Sequence, residues 1–291
     1  MPTLLAAEPP YDGPRLLGFL GAHAVPGVEH WDGTTFSRSL RTPDGSVVVS
    51  MTAAPDGILV DGTQEPAVLQ RLQHLMATTA STAEAERHLA VDVVIGASVL
   101  ARSGLHTPGS ADHGETLVRT VVGQQVSLKG ARAALGKISA ALGEPLRRPR
   151  AGVTTTFPSM AALAAHDPML LPMPRAWART VVACAAAVVD ERGLPPRRRL
   201  LELPGVGPWT ADYVDLRCHQ DPDVFLPTDL AVRRVLERAG HDGGPRAAAE
   251  RASAWAPHRS TALMHLWATY LEPDAASVRA AMVMGRPRKK P

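Results

Sequence analysis

The residues best suited to chemistry lie in two stretches, Leu200-Leu-Glu-Leu-Pro-Gly-Val-Gly-Pro-Trp-Thr-Ala-Asp-Tyr-Val214 and Phe225-Leu-Pro-Thr-Asp-Leu-Ala-Val-Arg-Arg234. In the first, a short helix ends at Leu203, Pro204-Gly205-Val206-Gly207 turns the chain, and Pro208 takes the first position of a second helix. Two glycines let the backbone approach another group closely, and unpaired N–H groups at the positive end of the new helix form a seat for an anion. A dinucleotide-binding loop is excluded, because Gly205-Val206-Gly207 follows a helix instead of a strand and has no third glycine at the required spacing. A tight helix–helix turn with nothing bound is the other reading. In the second stretch Asp229 follows Gly207 by 22 residues and immediately precedes a helical segment. Its carboxylate can cap that helix, or stand beside developing positive charge and orient water, and one side chain can do both.

The elements that position these residues are legible from spacing. Thr34 to Leu40, Ser46 to Thr52 and Ile58 to Val60 read as strands separated by Pro43-Asp44-Gly45 and Pro55-Asp56-Gly57, a three-stranded meander. Helices are expected from Pro14 through Leu20 and from Pro66 through Met76. The polar, Gly-rich run from Gly104 to Gly114 reads as a connection. After it the strand signature disappears, and residues 115–142, 159–166, 175–191, 198–203, 208–219, 229–239, 246–255 and 259–271 each read as a helix. The expected fold is an α+β N-terminal domain over residues 1–88, with a small antiparallel sheet, followed by an all-α body over 89–285 with a helical hairpin at about 198–219. Residues 286–291 form a basic tail.

Composition narrows the classes of function. The 291 residues are 45% hydrophobic and 20% charged, with a net charge of +3. The length suits two domains with real cores, and mild basicity suits a polyanionic partner. No apolar run is long enough to span a membrane, and Met1-Pro2-Thr3-Leu4 lacks the basic and apolar regions of an export signal, so a cytoplasmic location is expected. The two cysteines, Cys184 and Cys218, cannot hold an iron–sulfur cluster or a Cys-rich zinc site. The 11 histidines include no His-Glu-x-x-His set for zinc catalysis. Only four of the 31 basic residues are lysines, Lys129, Lys137, Lys289 and Lys290.

Leu-Pro-Gly-Val-Gly-x-x-Thr-Ala, a helix, and then Pro-x-Asp before another helix resembles the helix–hairpin–helix DNA glycosylases. Trp209, Tyr213, Arg217, Trp255, Arg259, Ser260 and His265-Leu-Trp267 narrow the resemblance to the bacterial 3-methyladenine DNA glycosylase II group, the AlkA type. It extends upstream through Val122-Gly-Gln-Gln-Val-Ser127 to Leu17-Gly-Phe-Leu20 and Pro9-Pro-Tyr-Asp12, and so covers nearly the whole chain.

The resemblance implies a monomeric enzyme of base excision repair, associated with the nucleoid, that flips alkylated purines out of damaged double-stranded DNA and hydrolyses the N-glycosidic bond. Asp229 is the implied catalytic carboxylate, set against the positive charge that builds on the deoxyribose. Trp209, Tyr213, Trp267 and Phe19 are the implied base pocket, where cation–π attraction of about 0.5–2 kcal/mol per contact favours a cationic damaged base. Trp255 and Tyr270 are assigned to the core. Gln125 is the implied wedge that fills the vacated space. Related enzymes can use leucine there, so an amide that hydrogen-bonds the orphaned base is a departure. The amides of Gly205, Gly207 and Thr210 are the implied phosphate contacts, and the carbonyls of Leu201, Leu203 and Val206 the ligands of a monovalent or similar cation. Arg217, Arg233, Arg234 and Arg259 are candidates for the DNA face, whereas Arg197-Arg198-Arg199 reads as solvated. Trp209 stands where strand-cleaving relatives carry a Schiff-base lysine, so a monofunctional enzyme without organic cofactor is expected. Residues 1–88 contain no cysteine, so they are not expected to include an alkyl-accepting sensor module. Two rival readings stay open, a non-catalytic DNA-binding protein and a glycosylase for oxidised or deaminated bases.

Overall fold

The computed structural model describes residues 1–124 and 126–271. Gln125 and the basic tail therefore lie outside the described residues. The chain forms two compact units, each gathered from three stretches. The first comprises Met1–Glu8, Gly13–Ala80 and Pro108–Gln220, and the second Pro9–Asp12, Ser81–Thr107 and the chain from Asp221.

The first unit begins with β1 (Thr3–Ala6), α1 (Gly13–Ala22), β2 (Glu29–Trp31), β3 (Thr35–Thr42), β4 (Gly45–Ala54), β5 (Gly57–Asp61) and α2 (Pro66–Met76). The strands make one antiparallel sheet in the order β1-β5-β4-β3-β2. The expected meander forms its centre. Strands β1 and β2 extend it at the edges and are too short to show an alternation in sequence. At the β4–β5 turn Gly57 adopts φ +147°, and a Cβ there would lie 2.1 Å from the Leu5 carbonyl oxygen, so only glycine fits. Phe36, Met51, Ile58 and Val60 of the sheet and Leu16, Leu17 and Leu20 of α1 are buried. Each contributes about 1.5–3 kcal/mol relative to exposure. Phe19, on the same helix, is only half-buried.

After α3 (Ala83–Leu89) and α4 (Gly96–Ala101), which belong to the second unit, the first resumes with α5 (His113–Gly123) and α6 (Leu128–Leu142). The single helix expected over 115–142 is thus two. Gln124 adopts extended ψ, and the Ser127 hydroxyl accepts the Gly130 N–H at 3.1 Å, capping a new helix. The helical body also contains a two-stranded ribbon, β6 (Pro145–Arg150) and β7 (Val153–Thr155). Its Pro- and Arg-rich first strand has no apolar alternation to announce it. The Gly27 carbonyl holds it by accepting the Thr154 and Thr155 N–H groups, at 2.8 and 3.0 Å. Next come α7 (Met160–Ala164), α8 (Arg175–Asp190), α9 (Arg197–Glu202) and α10 (Pro208–Val214), which runs on into one π-helical turn over Asp215–His219. Leu117, Val121, Ile138, Leu163, Val181 and Val214 are part of the apolar core these helices share. Burial there pushes the Cys184 and Cys218 thiols up to about 12, which leaves them inert.

A buried ion network ties the sheet to α5. Arg38 reaches Glu29 at 3.2 Å and Glu115 at 2.8 Å, and Arg119 lies 2.9 Å from both carboxylates. Burial alone would raise the Glu29 carboxyl, but Arg119 and Arg38 outweigh it and hold it below its ordinary range.

The second unit adds α11 (Leu230–Arg238), α12 (Pro245–Ala252) and α13 (Arg259–Leu271) to α3 and α4. Leu89, Ile95, Val99, Val232, Leu236, Leu263 and Leu266 are buried. Trp255 is in the core as expected, fully buried and edge-on to Phe225 at 5.6 Å. Tyr270, expected there too, is only half-buried, with the Arg238 guanidinium 5.5 Å from its ring centre. Among the described residues no helix is long and apolar enough to cross a membrane.

Candidate functional site

In the first unit α9, the Pro204–Gly207 turn and α10 form the hairpin. Gly205 has φ +78°, and a Cβ there would meet Thr180 Oγ1 at 2.4 Å, so glycine is required both by conformation and by space. Leu203 and Val206 are buried and anchor the turn, whereas Leu201 is exposed. The Val206 N–H donates to Leu203 O at 3.2 Å, and Gly207 O accepts from Thr210 and Ala211 at 3.0 and 3.1 Å. The Thr210 amide is therefore occupied inside the turn and its residue buried. Among the described residues, none accepts the Gly205 or Gly207 N–H, and none donates to the Leu201 or Val206 carbonyl.

Two contacts that sequence reading missed brace this hairpin. The Gln124 side chain donates to Thr210 Oγ1 at 2.6 Å and to Gly205 O at 3.3 Å, fixing the turn from the end of α5. Arg197 bridges Asp212 at 2.6 Å and Asp215 at 2.7 Å, joining the two hairpin helices, so this member of the arginine run is a clamp and not merely solvated. Burial lifts the Asp212 carboxyl above its ordinary range against the pull of Arg197. The Gln124 contact has no sequence signature. The spacing of Arg197 to Asp212 and Asp215 gains meaning only once the chain reverses between them.

Three of the four predicted base-pocket residues belong to this unit. Trp209 and Tyr213, one turn apart on α10, stack with ring centres 5.3 Å apart and planes 18° apart. Arg217 follows one turn later. Its guanidinium donates to Tyr213 Oη at 2.9 Å, Pro108 O at 2.5 Å and Gly109 O at 3.0 Å. Its central carbon lies 5.7 Å from the Tyr213 ring centre and 5.8 Å from that of Phe19. The sequence suggested the DNA face for Arg217. One N–H on each of its nitrogens is bonded within the unit, to two carbonyls and a phenol. His23 stacks on Phe19 at 4.3 Å, donating from Nδ1 to the Phe19 carbonyl at 2.7 Å.

In the second unit Asp229 caps α11. Its Oδ1 accepts the Ala231 N–H at 2.9 Å, the Val232 N–H at 3.2 Å and the Trp267 indole N–H at 3.2 Å. The fourth predicted pocket residue, Trp267, thus has its polar edge on the carboxylate. Three donors on one oxygen fix the rotamer, and among the described residues no donor reaches Oδ2. The carboxylate is half-buried and keeps one oxygen for another partner. Nearby, Arg259 makes a two-pronged pair with Asp223 at 2.8 and 2.7 Å, Arg233 donates to Gly243 O at 3.1 Å and Arg234 pairs with Glu237 at 3.0 Å. These arginines fasten their own loops. Among the described residues no cluster of three or more His, Cys, Asp or Glu side chains could hold a metal ion.

The first unit thus carries a glycine hairpin with two unoccupied amides and a stacked aromatic pair beside an anchored guanidinium, and the second carries a capped carboxylate with one oxygen clear. The 3-methyladenine DNA glycosylase structure from Archaeoglobus fulgidus superposes with a TM-score of 0.73 at 20% identity, covering 92% of this chain and 97% of that one. The fold is therefore that of the helix–hairpin–helix glycosylases. A family model described as the AlkA N-terminal domain matches residues 3–112. DNA-3-methyladenine glycosylase 2 of Escherichia coli (strain K12) is 32% identical over 288 residues, 92% of this chain and 98% of that protein. A Mycobacterium tuberculosis (strain CDC 1551 / Oshkosh) protein named "probable bifunctional transcriptional activator/DNA repair enzyme AlkA" is 35% identical over 282 residues, 92% of this chain. The chain spans 57% of the length of that relative. This chain belongs to the AlkA family, the group of DNA-3-methyladenine glycosylase 2.

Proposed function

We propose that the chain is a monofunctional DNA glycosylase that takes a 3- or 7-alkylated purine out of duplex DNA and hydrolyses its N-glycosidic bond, leaving an abasic site. The observation that carries the reading is Asp229, held through Oδ1 by Ala231, Val232 and Trp267 with Oδ2 clear. An alkylated purine leaves with the electron pair of the C1′–N bond and becomes neutral, while positive charge builds on the deoxyribose. A fixed carboxylate stabilises that charge, and water adds to C1′ with loss of a proton. Trp209, Tyr213 and Phe19 supply ring faces for the extruded base, while Trp267 serves both as an indole face and as the donor that aims Asp229. Gln125 is proposed as the wedge.

The Gly205 and Gly207 amides are the proposed phosphate contacts. The hairpin carbonyls fit a hard cation, which takes oxygen ligands. Those of Leu201 and Val206 accept no N–H among the described residues, and that of Leu203, which accepts one, retains a second lone pair. Leu201, Leu203 and Val206 would hold such an ion, and its charge would offset that of a DNA phosphate. Binding through phosphate contacts weakens steeply as salt rises. The chain is proposed to act as a monomer in the cytoplasm, with residues 1–88 as one domain and 89–285 as the glycosylase body.

The test is release of 3-methyladenine from methylated duplex DNA. Wild type releases the base, and Asp229→Asn releases it about 10²–10³ times more slowly. Equal release by both sinks the mechanism, and DNA binding without release by wild type supports a non-catalytic binder. A covalent enzyme–DNA species trapped by borohydride would count against monofunctional hydrolysis.

A further inference from the structure

We infer that Arg217 sets how this aromatic group discriminates bases by charge, opposing one that arrives cationic and assisting the departure of one that arrives neutral. The inference rests on the base-excision reading above. Tyr213 Oη, Pro108 O and Gly109 O hold the guanidinium, one on each nitrogen, so it has no freedom to swing away. All three partners are uncharged, and among the described residues no carboxylate pairs with Arg217. A full positive charge is therefore fixed beside Tyr213 and Phe19, within 6 Å of both ring centres. Among the described residues no guanidinium lies over the ring of Trp209, which stacks on Tyr213.

A neighbouring group registers the same field. The His23 imidazole, stacked on Phe19, is lowered to about 4, by burial first and then, against its bond to the Phe19 carbonyl, by repulsion from Arg217 and Arg119. A second cation beside Phe19 is therefore disfavoured, first by burial and in addition by the charge of Arg217. Two unit charges about 7 Å apart, at an effective dielectric of about 20, repel enough to change an equilibrium by at least tenfold.

The consequence differs with the charge of the base. A 7-alkylguanine carries positive charge until its C1′–N bond breaks, when the bond pair neutralises it and the charge passes to the sugar. Repulsion from Arg217 is thus strongest in the bound ground state and is relieved at the transition state, which raises KM and kcat together. Hypoxanthine is neutral when bound and becomes anionic as it takes the bond pair, before solvent protonates it. A fixed cation stabilises that departing charge and raises kcat alone.

The experiment measures kcat and KM for duplexes containing 7-methylguanine and hypoxanthine, with wild type, Arg217→Met, Arg217→Gln and Arg217→Lys. Both uncharged variants are expected to lower KM and kcat for 7-methylguanine, to lower kcat for hypoxanthine about tenfold, and so to raise the ratio of kcat/KM values for the two bases about tenfold. Arg217→Lys, which keeps the charge, holds the wild-type ratio even if both rates fall. Equal loss on both bases with an unchanged ratio in the Met and Gln variants means that Arg217 only braces the fold, and overturns the inference. If Arg217→Met does not fold, the Gln and Lys pair decides alone. Wild type that releases neither base overturns the base-excision reading and this inference with it, whereas active wild type with an unchanged ratio overturns the inference alone.

Discussion

The two units each fix one charged group by three hydrogen bonds, and they do so in opposite ways. In the second unit three donors converge on a single oxygen of Asp229, which leaves the other clear. In the first unit three acceptors divide among the three nitrogens of Arg217. A carboxylate held by one oxygen is both oriented and available, so it can touch a reacting sugar or water. A guanidinium anchored at each of its nitrogens is fixed in place, and under the inference above it acts on a substrate through its field. Under the proposed function, anchoring geometry separates the group that performs chemistry from the one that tunes it.

The comparison breaks most sharply at Asp229. Asp229→Asn keeps a cap and an oxygen acceptor but removes the charge, so base release should fall by about 10²–10³ with little change in Tm. Single-turnover release and thermal melting of the same sample check this. A large drop in Tm would make Asp229 a structural cap first.

The next effect belongs to the cationic side. His23 has its folded pKa depressed to about 4 against an unfolded value near 6.5, so its contribution is fully present above about pH 6.5 and is lost as pH falls toward 4. That shift corresponds to about 3 kcal/mol. Urea titrations across pH 4–7 should show His23→Phe, which keeps a ring against Phe19, losing less stability than wild type on acidification. Parallel curves would remove His23 as a reporter of the field.

Trp267→Phe sharpens the anionic side. Removing one of three donors on Oδ1 should reduce kcat about tenfold while KM for methylated DNA stays within about twofold, because the carboxylate loses aim but not charge. The smallest effect is expected at Gln124→Ala, which releases the hairpin turn from α5. It should cost about 1 kcal/mol in chemical denaturation and weaken DNA binding measured at low salt. No change in either would leave Thr210 and Gly205 independent of α5.

Local patterns made the hairpin, the central meander and the N-cap role of Asp229 legible, because each depends on residues close in sequence. Pro204, Gly205, Gly207 and Pro208 specify a turn and a helix start through φ and missing side chains alone. Strands β1 and β2 and the β6–β7 ribbon were not legible: β1 pairs with β5 more than 50 residues on, β2 is only three residues long, and β6 is rich in Pro and Arg with no apolar alternation. The expected boundary after residue 88 follows a change of composition, whereas the compact units follow contacts, and each draws on three stretches of chain. The four arginines suggested for the DNA face show the same limit. Arg217, Arg233, Arg234 and Arg259 look alike in sequence, yet each is directed by its own acceptor.

By itself the sequence determined which chemistry was present: a carboxylate before a helix, a glycine turn with unpaired amides, aromatic faces one turn apart, and no lysine on α10. Residue type and short-range spacing suffice for these because side-chain chemistry and helical periodicity are local properties. Only the tertiary structure decided which oxygen of Asp229 remains clear, that Thr210 is occupied while Gly205 and Gly207 are not, and that Arg217 is fixed beside Tyr213 and Phe19. Those outcomes depend on hydrogen-bond partners brought together by packing, and the strength of a charge or a donor is set by what surrounds it once water is removed.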